Sequence, residues 1–142
     1  MLWRFFRSLF FLMDAETAHR WTMNLLHHTR WIPTWLPPSF LQHRHLSSVK
    51  IKNLEFVHPV GLAAGMDKDA EILPWLPLFG FSFAEIGTVT PRPQSGNPRP
   101  RLWRRVEDET LFNRMGFNSM GAKTVANHLR DAKKGLPEWF RV

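Results

Sequence analysis

Two short runs of small and apolar residues, Pro59–Met66 (PVGLAAGM) and Phe83–Thr90 (FAEIGTVT), constrain this chain more than any other feature. Runs of this kind suit strands buried on both faces, the pattern of a parallel sheet. Gly61 and Gly65 leave room for close approach to the backbone. Between the runs, Ala70–Phe79 is expected to be helical, although Pro74 and Pro77 disturb that stretch. Strand, helix, strand in this order is a βαβ unit, and the handedness of its crossover points to a parallel sheet. In α/β barrels, functional groups sit just beyond the strand ends. Here Asp67-Lys68-Asp69 follow the first run, and Thr88 and Thr90 lie at the end of the second. On spacing alone, the simpler reading of Lys68 is a solvated loop lysine paired with Asp67 or Asp69.

The flanking segments read as follows. Lys50–Lys52 and Leu54–Phe56 alternate about Asn53 and predict a small hairpin. Pro91–Arg101 holds too many prolines for a helix or a central strand and reads as a stiffened loop. Arg92, Arg99, Arg101, Arg104 and Arg105 make this region basic, relieved by Glu107, Asp108 and Glu109. Asn113–Asn118 (NRMGFN) is a polar turn, for which turn and cap formation is the ordinary role of Asn. A helix is expected from about Met120 to Lys134, stopped by Gly135 and Pro137. Trp139–Val142 reads as the beginning of a third strand.

The N-terminal third has a different texture. Four of the seven Trp fall in the first 36 residues and five of the seven His in the first 45. Through Lys50 there are six Lys and Arg against two acids, and a boundary is expected near residues 46–50. Residues 1–13 (MLWRFFRSLFFLM) are apolar but interrupted by Arg4 and Arg7. A transmembrane helix needs about 20 apolar residues, so this run is too short. It also lacks the cleavage pattern of a secretory signal. Asp14 is an N-cap for a second helix, with Glu16 in its first turn and Ala18, Trp21 or Thr22, and Leu25 at helical spacing, with Leu26 beside them. Pro33, Pro37 and Pro38 end it before a short element near Ser39–Gln42. Two amphipathic helices rich in Trp and Phe either lie in a membrane interface or pack on the following domain. Nucleic acid is a weaker third reading, because the basic residues are scattered. His27-His28 and His43-x-His45 lack the spacing of a helical metal-binding pair, so no metal is expected. The absence of cysteine excludes disulfides and thiolate chemistry and fits a reducing compartment. The formal charge of +7 suits an anionic partner.

Four segments carry a resemblance: GLAAGMDKD (61–69), EIGTVTPRPQ (85–94), GNPRPRL (96–102) and NRMGFN (113–118). In this order and spacing they resemble the signatures of the class 2, membrane-associated, quinone-dependent dihydroorotate dehydrogenases. The resemblance covers the chain from about residue 50 onward, and the N-terminal helices are similar in position and character to that class's docking extension. It implies an α/β fold: residues 1–48 as a helical membrane- and quinone-docking segment, and 49–142 as the first βα units of an incomplete (β/α)8 TIM barrel that binds FMN. It further implies oxidation of dihydroorotate to orotate in pyrimidine biosynthesis, with a membrane quinone as acceptor, at the cytoplasmic face of the cell membrane. Ala64, Gly65, Met66, Asp67, Lys68 and Thr88 would line the flavin. Lys68, Asn113, Arg114, Met115, Gly116 and Phe117 would meet the substrate. Nucleic acid drops out as a partner.

A barrel of this type takes about 250 residues, so this chain is expected to hold two strands and part of a third. The resemblance further implies a catalytic serine base and a flavin phosphate site beyond Val142, in a missing C-terminal half. The 142-residue polypeptide is expected neither to hold FMN tightly nor to turn over dihydroorotate alone, and its unpaired edges are expected to limit solubility.

Overall fold

The computed structural model describes residues 2–35 and 47–142; the expected element near Ser39–Gln42 lies outside these residues, as does His43-x-His45. Helix α1 (Leu2–Phe11) is followed by α2 (Ala15–His28) and a 3-10 turn, Ile32–Trp35. Asp14 caps α2, its Oδ1 accepting from the Thr17 amide at 3.0 Å. That hydrogen bond holds the Asp14 carboxyl below the usual carboxylate range. The Phe10 and Trp21 rings meet edge to face at 5.9 Å between centroids and join the two helices. Among the described residues, no helix is long and apolar enough to cross a membrane.

The buried face of α2 keeps the expected Ala18 and Leu26 but not Trp21 or Leu25. Ala15, Glu16, Ala18 and Met23 are buried and Leu26 packs beside them, whereas Trp21 and Leu25 are about half exposed. Periodicity locates an apolar stripe, but α2 carries two adjacent ones, and shape decides between them. Ala15 and Ala18 allow close approach where a Trp would not. Met23 enters the core, and the Trp75 indole Nε1 donates to the Leu26 carbonyl at 2.9 Å.

Strands β1 (Val49–Ile51) and β2 (Leu54–Phe56) form the expected hairpin, with Ile51 opposite Leu54 across Lys52-Asn53. The two apolar runs and the Trp139–Val142 segment pair in parallel, but over fewer residues than expected. The Leu62 amide donates to the Phe83 carbonyl at 3.0 Å, and the Glu85 amide to the Leu62 carbonyl at 2.8 Å. On the other side, the Ala84 amide donates to the Arg141 carbonyl at 2.9 Å. The order is therefore 60–62, 82–85, 141, held by single parallel bridges. Gly65 and Gly87, at φ of +104° and +109°, turn the backbone out of the extended region and end the pairing.

The expected helix over Ala70–Phe79 is one 3-10 turn, Leu73–Trp75. Pro77 has no N–H to give the Leu73 carbonyl, which accepts from the Leu76 amide at 3.1 Å instead. The segment nonetheless supplies Ala70, Ile72, Leu73 and Leu76 to the core, against Ala84, Val125, Ala132 and Phe140. Val125 and Ala132 come from α3 (Ala122–Lys133), which matches the expected C-terminal helix within two residues. A second hairpin, β3 (Leu102–Arg105) with β4 (Thr110–Asn113), was hidden in the sequence by the charges of its turn. Leu102 lies opposite Asn113 and Arg105 opposite Thr110.

Candidate functional site

The segment after the first pairing run is folded around a buried carboxylate. Asp67 is 1% exposed; its Oδ1 accepts from the Glu71 amide at 2.7 Å and its Oδ2 from the Ile72 amide at 3.1 Å. Burial pushes its carboxyl up, and the two amides pull it back. Both oxygens are thus committed to the backbone. Asp69 is committed as well, its Oδ1 accepting from Ser119 Oγ at 3.2 Å and from the Met120 amide at 2.9 Å.

Lys68, between these aspartates, pairs with neither. Its Nζ donates to Asn118 Oδ1 at 2.7 Å, so the solvated, aspartate-paired lysine is corrected. Burial pushes the Lys68 ammonium below its ordinary range, and the Arg101 charge adds to this; Asp69 and Glu16 oppose it. The result is a half-buried cation held at the joined ends of the parallel segments. Ser119 Oγ is the knot of that junction: it donates to Asp69 and accepts from the amides of Thr90 (3.4 Å) and Gly121 (3.1 Å). His128 Nδ1 donates to the Asp69 carbonyl at 2.7 Å and ties in α3. His19 Nε2 donates to the Met66 carbonyl at 3.0 Å and ties in α2.

Around Lys68 the residues Ala64, Gly65 and Met66 are exposed, as is Thr88. No atom lies within 4 Å of where a Gly65 Cβ would stand, so this shelf is open. Asn113 ends β4, and Arg114–Phe117 return toward the loop 94–97. The Asn97 amide donates to the Met115 carbonyl at 3.0 Å and Asn97 Nδ2 to the Arg114 carbonyl at 2.7 Å. Gln94 Nε2 donates to the Phe117 carbonyl at 2.8 Å, and the Gln94 and Ser119 backbones exchange two hydrogen bonds of 3.0 Å. Phe117 is 66% exposed, with the Met66 and Met120 side chains also open. Two cavities, of about 300 and 370 Å³, lie elsewhere, one beside Trp31 and His128 and one between Phe11 and the β3–β4 turn.

An open segment, exposed apolar side chains and a partly desolvated cation suit an anionic ligand with an apolar face. Lys68 follows the first pairing run and is held there by Asn118. Asn118, Asp69 and Ser119 were not singled out as site residues, because Asn and Ser after a Gly read first as turn formers. Their signal was position: Asp69 adjoins Lys68, Asn118 adjoins Phe117, and Ser119 comes one residue later.

The dihydroorotate dehydrogenase profile matches residues 46–141. The quinone-type dihydroorotate dehydrogenase of Photobacterium profundum is 42% identical over 133 residues, covering 94% of this chain and 39% of that protein. That of Novosphingobium aromaticivorans is 47% identical over 135 residues, covering 92% of this chain and 37% of that protein. Among solved structures, DHODH from Eimeria tenella in complex with ferulenol superposes with a TM-score of 0.64 at 42% identity, covering 83% of this chain and 30% of that one. The ligand-free form from the same organism gives a TM-score of 0.58. The chain spans well under half the length of the relatives it matches.

Proposed function

The chain belongs to the dihydroorotate dehydrogenase family, and from that premise we propose that it supplies the N-terminal part of a quinone-dependent enzyme that oxidises dihydroorotate to orotate in pyrimidine biosynthesis. In this reading residues 1–48 are the docking segment and 49–142 open an incomplete FMN-binding β/α barrel. A C-terminal half completes the site and supplies the base. The observation that carries the reading is Lys68, half-buried and held by Asn118 at the joined strand ends.

The residues present fit FMN. Ala64, Gly65 and Met66 would hold the flavin on an open shelf, Asp67 fixes the turn that follows them, and the exposed Thr88 would complete the lining. Held there, FMN would supply the two-electron redox chemistry that links dihydroorotate oxidation to quinone reduction. Lys68 would stabilise negative charge gained by the flavin and carried by the carboxylate substrate, an effect that a dry site strengthens. Asn113 offers paired donor and acceptor groups to an amide-rich ring, and Arg114–Phe117 shape the wall beside it. The exposed apolar side chains Leu9, Leu12, Trp21, Leu25 and Trp35 support peripheral seating of the N-terminal helices at the cytoplasmic face of the membrane, near the quinone.

The test is to co-express this chain with the C-terminal barrel segment of a relative, then record flavin absorbance and dihydroorotate-driven quinone reduction. A yellow, active assembly is expected, with the chain alone colourless and inactive. An assembly that forms but takes up no flavin overturns the reading.

A further inference from the structure

Helix α2 reaches the segment Asn113–Phe117 through a buried ion pair that the reaction scheme above does not use. Glu16 is 5% exposed and Arg101 is 7% exposed. Arg101 Nη2 donates to Glu16 Oε1 at 2.8 Å, and its Nε lies 3.1 Å from Oε2. Arg99 adds a second contact to Glu16 Oε1 at 2.9 Å. The third arm of the same guanidinium points the other way: Nη1 donates to the carbonyls of Ser95 and, at 3.1 Å, Asn97. The Arg101 carbonyl in turn accepts from the Arg114 amide at 2.9 Å.

The loop that Arg101 holds is interlocked with the segment beyond it. A Cβ on Gly96 would stand 2.2 Å from the Met115 carbonyl oxygen, and one on Gly116 would stand 2.7 Å from the Asn97 amide nitrogen. With the two Asn97 hydrogen bonds to Met115 and Arg114, neither loop can shift without the other. The path from α2 is therefore continuous: Glu16, Arg101, Ser95–Asn97, Arg114–Met115.

We propose that Glu16 and Arg101 are positioning residues, which couple the seating of α2 to the order of Asn113–Phe117 and so to binding of the carboxylate substrate. The proposal rests on the reading of that segment as substrate-contacting. A guanidinium fork suits the task because its donors are fixed in one plane and can serve a carboxylate on one edge and carbonyls on the other. A lysine can keep the charge pair but cannot serve both edges.

The experiment uses the flavin-loaded assembly with Glu16→Gln, Arg101→Lys, the double variant Glu16→Leu/Arg101→Met, and Arg105→Ala as a control in an exposed pair with Asp108. It reads the KM for dihydroorotate, kcat, and amide exchange at Asn97 and Arg114. Losing charge-assisted hydrogen bonds predicts a KM rise of about tenfold and a similar acceleration of exchange in Glu16→Gln and Arg101→Lys, with kcat held at saturation. The double variant removes the buried charges together, so it is expected to recover thermal stability yet keep the raised KM and fast exchange. Arg105→Ala is expected to match the parent. The coupling is overturned if Glu16→Gln and Arg101→Lys leave KM and exchange unchanged. It is overturned equally if the double variant restores both, which would leave a fold staple only. An assembly that never turns over dihydroorotate removes the substrate reading, and amide exchange alone then decides whether the coupling exists.

Discussion

Burial and the Arg101 charge both disfavour the ammonium form of Lys68, while Asp69 and Glu16 favour it. A cation in that balance gains from any anionic group placed beside it, which is the chemistry a flavin and a carboxylate substrate offer. Lys68→Met keeps most of the side-chain volume and removes the charge. In the assembled flavoprotein it is expected to lower the rate of dihydroorotate oxidation by about 10²–10³-fold, the scale of losing one preorganised stabilising group; stopped-flow flavin reduction measures it. The two buried carboxyls carry opposite pH signatures. Glu16 is held below its ordinary range, chiefly by its hydrogen bond to Arg101, so its stabilisation is complete above the unfolded value of about 4.3 and is lost as pH falls through the folded one. Asp67 is raised by burial, so its share is complete at low pH and is lost as pH rises through its folded value. Melting temperature followed against pH should show a shallower acid limb in Glu16→Gln and a flatter profile just above the carboxylate range in Asp67→Asn.

At the scale of elements, short-range patterns specified what short-range forces decide. The hairpin about Asn53, the cap at Asp14 and helix α3 each depend on residues within a few positions of one another, and each forms where the sequence placed it. The Leu73–Trp75 turn shows the limit. Its apolar residues were readable, but Pro77 removes the hydrogen bond a longer helix needs, and core packing with a few turn and side-chain hydrogen bonds holds the segment. Leu73 is fully buried, so Leu73→Ala is expected to cost about 2–5 kcal/mol, read from the urea unfolding midpoint. The β3–β4 hairpin was missed because charges mask the alternation that would reveal it.

For the molecule as a whole, one stripe of α2 is spent on the core and the next is left open. Leu12, Trp21, Leu25 and Trp35 are all at least half exposed, and Phe6 and Leu9 continue the apolar surface along α1. Co-sedimentation with anionic, quinone-containing vesicles is expected for the parent and expected to fall in Trp21→Asp and Leu25→Asp; equal binding by all three excludes these helices as the docking surface. The sequence by itself determined the parallel pairing segments, both N-terminal helices and the four motifs that mark the family, because periodicity, capping and turn chemistry are local. Only the tertiary structure decided which stripe of α2 is buried, that Lys68 meets Asn118 fifty positions away, and that Glu16 meets Arg101 eighty-five positions away. A buried charge takes whichever partner the folded chain brings within reach, and that proximity is a property of packing.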